Sequence, residues 1–216
     1  MEDFKKGELR IDRRTPILTE GAGSPQLYTV FQGMALRHKL LPNGRRQVLS
    51  FVFPGDFLGL QAGVMGEMGH SVEAVTGMTL CVFDRSALWD FMREHPERAF
   101  SLTWLAAVEE HFLGESLTTL GQRTAEQAVA WALSKIWVRC DALGLSRGDE
   151  IPFPFRQQDL ADTLGLSLVH TNKTLASLRL RGLADWSGGR LKIPDVQELG
   201  KIGLVDELDP QTRPLM

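Results

Sequence analysis

Hydrophobic positions along this chain change period near residue 85. Before it, the run LYTVFQGMALRHKLLPNGRRQVLSFVFPGDFLGL (27–60) consists of short Val-, Phe-, Leu- and Tyr-rich pieces cut by Gly, Pro and Asn. Such pieces predict strands with turns between them. Asn43-Gly44 falls between two apolar pieces and predicts a hairpin with a two-residue type I′ turn, in which both central residues need positive φ. VEAVTGMTLCVFD (72–84) predicts a further pair of strands. Together these strands suggest an antiparallel roll or barrel.

From Arg85 the spacing becomes helical. DRSALWDFMREH predicts a short helix that stops before Pro96. A long helix follows to about Leu120, with Pro96 at a tolerated start position. Phe100, Trp104, Ala107, His111 and Gly114 recur along it at alternating steps of four and three, an a/d-like seam. The seam packs either on its own domain or against a second copy. Leu105 and Phe112 form a second stripe that leaves the first free for a partner. Gly121 is expected to break this helix and act as a hinge. TAEQAVAWALSKIWVRCDALG then predicts a helix with Thr124 and Gln127 as a capping box and Gly144 as its stop. IPFPF (151–155) must be extended, because a residue before proline is pushed out of the α region.

Two short helices end the pattern. QQDLADTLG turns Leu160, Ala161 and Leu164 inward; Gly165 allows a left-handed turn, and Ser167 caps a helix over 168–181 that Gly182 stops. At 100° per residue, Thr171, Leu175 and Leu178 share the buried side of that helix. Val169, Lys173, Ala176 and Ser177 lie opposite, with His170 and Asn172 on the flanks. A short, donor-rich face at a helix N-terminus suits the DNA major groove, where Lys and Asn bond base edges and Val meets a thymine methyl. LADWSGGRLKIPD then predicts a two-stranded wing around Ser187, Gly188 and Gly189.

Charge sharpens this picture. The whole chain carries −3 over 216 residues, so it is no general polycation. Yet Ser167 to Lys192 contains Lys173, Arg179, Arg181, Arg190 and Lys192 against the single acid Asp185, the footprint of a phosphate-contacting patch. Cys81 and Cys140 are far apart and form no C-x-x-C, which argues against a redox pair or disulfide framework and fits a reducing cytoplasm. The N-terminus lacks the apolar run of a signal peptide, and no stretch is long enough for a membrane helix. The five histidines offer no His-x-His pair for a cupin-like metalloenzyme, and no phosphate-cradling or nucleophile-elbow motif occurs. A small-molecule-binding roll without DNA would leave the basic wing unexplained.

With these residues in view, the chain resembles the Crp/Fnr family of bacterial transcription regulators. DLADTLGLSLVHTNKTLASLRLRGL (159–183) is similar to the family's helix-turn-helix. Residues 28–60 resemble its cyclic-nucleotide-binding-type β-roll, and the long helix resembles its dimerisation helix. The resemblance implies an α+β fold: an N-terminal antiparallel β-roll (double-stranded β-helix) at 1–95, a dimerisation helix and hinge at 96–121, and a C-terminal winged helix-turn-helix at 122–216. It implies a homodimer with Phe100, Trp104, Ala107 and His111 at the interface. Its partners would be double-stranded DNA and RNA polymerase. Ser167, Val169, His170, Asn172, Lys173, Arg179, Arg181 and Arg190 would face DNA, at a pseudo-palindromic site.

Departures from the family bear on the effector. Matching on PGDFLG places Gly55, Gly59, Leu60, His70 and Ser71 in the effector region. Leu60 stands where cyclic-AMP-responsive members hold the ribose with a Glu, and His70-Ser71 stands at the phosphate-binding Arg-Ser position. A mostly neutral His replaces a bidentate Arg poorly, so cyclic AMP is not the expected effector. The N-terminal cysteines of iron–sulfur members are missing, and no metal or cofactor is expected. In the loop MGEMGHS, His70 is expected to be solvated and Met65 and Met68 to pack. Cys81 is expected to be a small buried hydrophobe.

Overall fold

The computed structural model describes residues 4–205 and 208, so the first three residues and most of the stretch beyond 205 in the expected segments lie outside it. It divides into two compact units, with the boundary between Phe112 and Leu113, inside the long helix.

The first unit is built on eight strands and two short helices: β1 (Lys5–Ile11), β2 (Pro16–Leu18), β3 (Gln26–Gln32), β4 (Ala35–Leu40), β5 (Arg46–Val52), β6 (Phe57–Leu58), α1 (Leu60–Met65), β7 (Ser71–Ala74), β8 (Met78–Asp84) and α2 (Leu88–Glu94). The strands form two antiparallel four-stranded sheets, ordered β1-β8-β3-β6 and β2-β7-β4-β5. Alternation buries one face of each sheet in a shared core: Tyr28, Val30, Leu80 and Val82 from the first meet Leu18, Ala35, Val52, Val72 and Ala74 from the second. On the first sheet's other face Leu27 and Phe83 pack against Leu88 of α2 and Leu102 of the long helix. Asp84 starts the short 3-10 turn before α2 by accepting from the Ser86 N–H at 3.0 Å.

The β4–β5 hairpin differs from the expected type. Only Gly44 has positive φ, +79°. Gly44 N–H donates to Leu41 O and Leu41 N–H to Arg45 O, each at 2.8 Å, so the loop has three residues rather than two. A two-residue loop would need an N–H from residue 42, and Pro42 has none. The helix α1 was not expected; with Gly63 inside and Gly59 and Gly66 at its ends, its sequence reads as turn.

Helix α3 (Pro96–Gln122) runs straight through Gly121. The break lies at Arg123, not Gly121, because Thr124 caps α4 (Ala125–Ala142) reciprocally with Gln127. The second unit continues with β9 (Glu150–Pro152), α5 (Gln157–Leu164), α6 (Leu168–Leu180), β10 (Asp185–Ser187), β11 (Arg190–Lys192) and α7 (Val196–Ile202). The expected wing gains a third strand, since β9 pairs with β11 in the order β10-β11-β9. The core of this unit gathers Trp131, Leu133, Ile151, Phe153, Leu160, Leu178, Leu191 and Leu199.

Arg123 closes the α3–α4 junction. It donates to Gly203 O at 2.9 Å, Leu204 O at 3.1 Å and Thr119 Oγ1 at 2.8 Å, and its guanidinium lies 5.5 Å from the Trp131 ring centre. Carbonyls left unpaired at the C-terminal end of α7 are satisfied this way.

Candidate nucleic-acid interface

Helix α6 is positioned from both ends. Gly165 takes the left-handed conformation at the end of α5 (φ 63°), and the Leu166 N–H returns to Ala161 O at 3.1 Å. Ser167 Oγ then accepts from the His170 N–H at 3.2 Å, capping α6. At the far end Gly182 N–H bonds Arg179 O at 3.0 Å and Leu183 N–H bonds Leu178 O at 2.9 Å, a Schellman closure.

Between these caps one face is buried and the other is free. Thr171, Thr174, Leu175 and Leu178 are buried, whereas Ser167, Val169, His170, Asn172, Lys173, Ala176, Ser177 and Arg179 are exposed. The two threonines occupy positions where a core prefers Val. Thr171 meets its hydroxyl's need by donating to Ser167 O at 3.1 Å. Val169 is 79% exposed, a large apolar side chain presented to solvent at a helix start. Helix α5, beneath, is fixed by Arg156, which donates to the buried Asp159 carboxylate through its backbone N–H (2.9 Å), Nε (3.2 Å) and Nη2 (2.8 Å).

The structure separates the cations that the sequence groups together. Lys173 and Arg179 project from α6 with no ion-pair partner among the described residues. Arg181 is held by Glu126 of α4 and Arg190 by Glu150 at 2.6 Å. Lys192 pairs with Asp149 at 3.3 Å. Ser167 serves first as a cap, its Oγ turned to its own helix.

On α3, Phe100 is 72% exposed, Ala107 and His111 are exposed, and Trp104 is half-buried, whereas Leu102 and Leu105 are buried. Of the second stripe Leu105 is buried and Phe112 half-buried, whereas the first stripe is exposed among the described residues except at half-buried Trp104. Leu117, 72% exposed, lies three residues past Gly114 where the alternation calls for a step of four, so it stands beside the seam rather than on it.

In the effector region, Gly55 and Gly59 flank β6, Leu60 opens α1, and His70 and Ser71 begin the β7 side. Gln61 Oε1 accepts from the Gly69 N–H at 2.9 Å and ties the two segments together. His70 is half-buried rather than freely solvated as expected: burial, with Arg37 and Lys39 nearby, pushes its imidazole pKa down to about 4. His38, on β4 opposite Ser71, is buried with Nδ1 lacking a partner among the described residues, and burial lowers its pKa as well. Ser71 Oγ already accepts from the Glu20 N–H at 3.0 Å. The buried cation of this region, Arg37, was not singled out in the sequence. It donates to Ser50 Oγ (3.1 Å), Phe57 O (3.2 Å) and Glu109 Oε2 of α3 (3.0 Å). A cyclic phosphate needs a fixed cation; here His70 is neutral and Arg37 is engaged, so these residues do not fit that ligand. Met68 is buried, but Met65 is 77% exposed rather than packed, and Cys81 is only half-buried.

Among the described residues no group of three or more His, Cys, Asp or Glu is placed to hold a metal ion, and no helix is long and apolar enough to cross a membrane.

Comparison with known proteins agrees with both units. Residues 8–95 match the cyclic nucleotide-binding domain family and residues 127–202 the Crp-like helix-turn-helix domain family. The nitrogen fixation regulation protein FixK of Bradyrhizobium diazoefficiens is 32% identical over 166 residues, 77% of this chain and 69% of that protein. The transcriptional activatory protein AadR of Rhodopseudomonas palustris is 30% identical over 180 residues, 82% of this chain and 74% of that one. The structure of FixK2 from Bradyrhizobium japonicum superposes with a TM-score of 0.80 at 25% identity, covering 91% of this chain and 96% of that one.

Proposed function

The chain belongs to the Crp/Fnr family of DNA-binding transcription regulators, a family of regulators rather than enzymes, and from that premise we propose how it reads its site. Two copies pair through the α3 seam of Phe100, Trp104, Ala107 and His111. Each sets the first turns of α6 into the major groove of one half of a pseudo-palindromic site. Val169, His170, Asn172 and Lys173 meet base edges there. Arg179, Arg181 and Arg190 meet phosphates, and the bound dimer acts on transcription through RNA polymerase. The observation that carries this reading is the free face of α6, polar and donor-rich, with Val169 exposed at its start.

Cyclic AMP is not the effector in this reading. Leu60 offers the ribose no acceptor, His70 is held neutral and Arg37 is engaged by Glu109. Calorimetry giving a micromolar dissociation constant for cyclic AMP would overturn that part.

The main test compares binding to a duplex selected from a random pool with binding to a scrambled one. Lys173→Ala is expected to cost about 1–3 kcal/mol per half-site on the selected duplex and to relax preference at one base pair. An equal loss on both duplexes would make Lys173 a phosphate contact and move base reading to Val169, His170 and Asn172. Sedimentation of the parent as a monomer would remove the α3 pairing.

A further inference from the structure

Charge counted along a sequence window differs from charge counted in the folded unit. From Ser167 to Lys192 there are five cations and one acid. Folding brings three more acids to that set from outside the window: Glu126 on Arg181, Glu150 on Arg190 and Asp149 on Lys192. Five cations therefore stand against four acids, and only Lys173 and Arg179 lack an ion-pair partner among the described residues. The three pairs are open to solvent, with side chains 38–49% exposed. Pairs so exposed add little to folding stability. As ion pairs, these three contacts therefore contribute little to holding the fold.

We propose that Glu126, Asp149 and Glu150 govern the strength of DNA binding by occupying the phosphate-binding cations of the free protein. The inference rests on the DNA-binding reading above. A surface pair is weak enough to be exchanged for phosphate. The exchange, however, leaves a carboxylate beside a polyanion, where it repels and gathers a cation of its own. Phosphate binding is driven by release of condensed counterions, and each stranded carboxylate takes one back. The sequence-independent part of affinity is thereby held low. Base contacts from the start of α6 involve none of the three acids, so sequence preference is left intact. A chain of net charge −3 that must leave non-specific DNA quickly is served by this arrangement.

The test is the variant Glu126→Gln/Asp149→Asn/Glu150→Gln, together with each single substitution, titrated against selected and scrambled duplexes over a range of salt. The triple variant is expected to bind both duplexes about tenfold more tightly at low salt. Its log–log salt slope should steepen by up to about one unit per freed cation, with the ratio between the duplexes unchanged. Each single variant should move the same way by a smaller factor, which keeps the test open if the triple variant folds poorly. Parent-like affinity and slope in all of them, or a gain on one duplex only, overturns the inference while leaving DNA binding standing. A parent that binds neither duplex at low salt overturns the DNA reading and this inference with it.

Discussion

Replacing Arg37 with Met keeps most of the aliphatic stem and removes the guanidinium that links β4 to α3. Its side chain is 9% exposed and that of Glu109 36%, so the pair lies between surface and interior. Surface pairs contribute about 0–1 kcal/mol, whereas removing one partner of a fully buried pair costs about 3–5 kcal/mol. Three hydrogen bonds are lost, to Ser50 Oγ, Phe57 O and Glu109 Oε2. At about 1 kcal/mol each, with more for the charged one, they exceed the gain from burying a thioether, and a net loss of about 2–3 kcal/mol is expected. Glu109→Gln keeps an acceptor and should cost about 1 kcal/mol. Urea unfolding of the four proteins of a double-mutant cycle measures the coupling, read on the transition of the first unit because the two units need not melt together. A coupling of about 1–2 kcal/mol is expected. A loss below about 0.5 kcal/mol for Arg37→Met, or a coupling inside the roughly 0.3–0.5 kcal/mol scatter of independent sites, would refute the claim that this pair anchors the long helix.

Three further outcomes follow from the packing and the buried titratable groups. A Cβ on Gly203 would sit 2.5 Å from the Trp131 backbone nitrogen and 2.8 Å from its Cα; Gly203→Ala should lower stability by about 1–3 kcal/mol, read as a drop in thermal midpoint. His70 is held neutral in the folded state down to about 4, below its unfolded value of about 6.5. Its contribution is therefore present above pH 6.5 and lost as pH falls toward 4. Urea midpoints across that window should decline less steeply for His70→Asn, and an unchanged decline would show that His70 does not set it. Burial pushes the Cys140 thiol up to about 12, so at pH 8 a maleimide should label half-buried Cys81 and spare Cys140 until the protein unfolds; fast labelling of both would contradict the packing.

What the sequence showed and what it hid divide along contact range. Helix α6 was legible because its caps Ser167 and Gly182 and its buried Thr171/Leu175/Leu178 stripe are local. Thr124 and Gln127 were legible for the same reason. The turn at Asn43-Gly44 was misread through a neighbour: Pro42 cannot donate, and that shifted the bonding by one residue. Helix α1 was hidden by its glycines; the extended backbone of IPFPF was legible from its prolines, but the pairing of β9 with β11, some 40 residues away, was not. Arg37–Glu109 spans 72 residues and Arg181–Glu126 spans 55, so no window of periodicity or charge could reveal either. Those long-range pairs decide the electrostatics of the effector region and of the basic face.

The strand pairings also fix an order of assembly during synthesis. The first unit closes when β8 emerges to pair with β1, Lys5 meeting Phe83. The second unit cannot close its sheet until β11 meets β9, and Arg123 has no carbonyls to hold until Gly203 and Leu204 exist. More than a hundred residues separate β8 from the end of β11, about 5–20 s of translation at common rates. The roll thus stands complete on the ribosome while the DNA-reading half is still an open chain, and α3 is finished in that interval. A nascent chain stalled after α4 should already protect the amides of β3 and β8 from exchange and leave those of α4 unprotected.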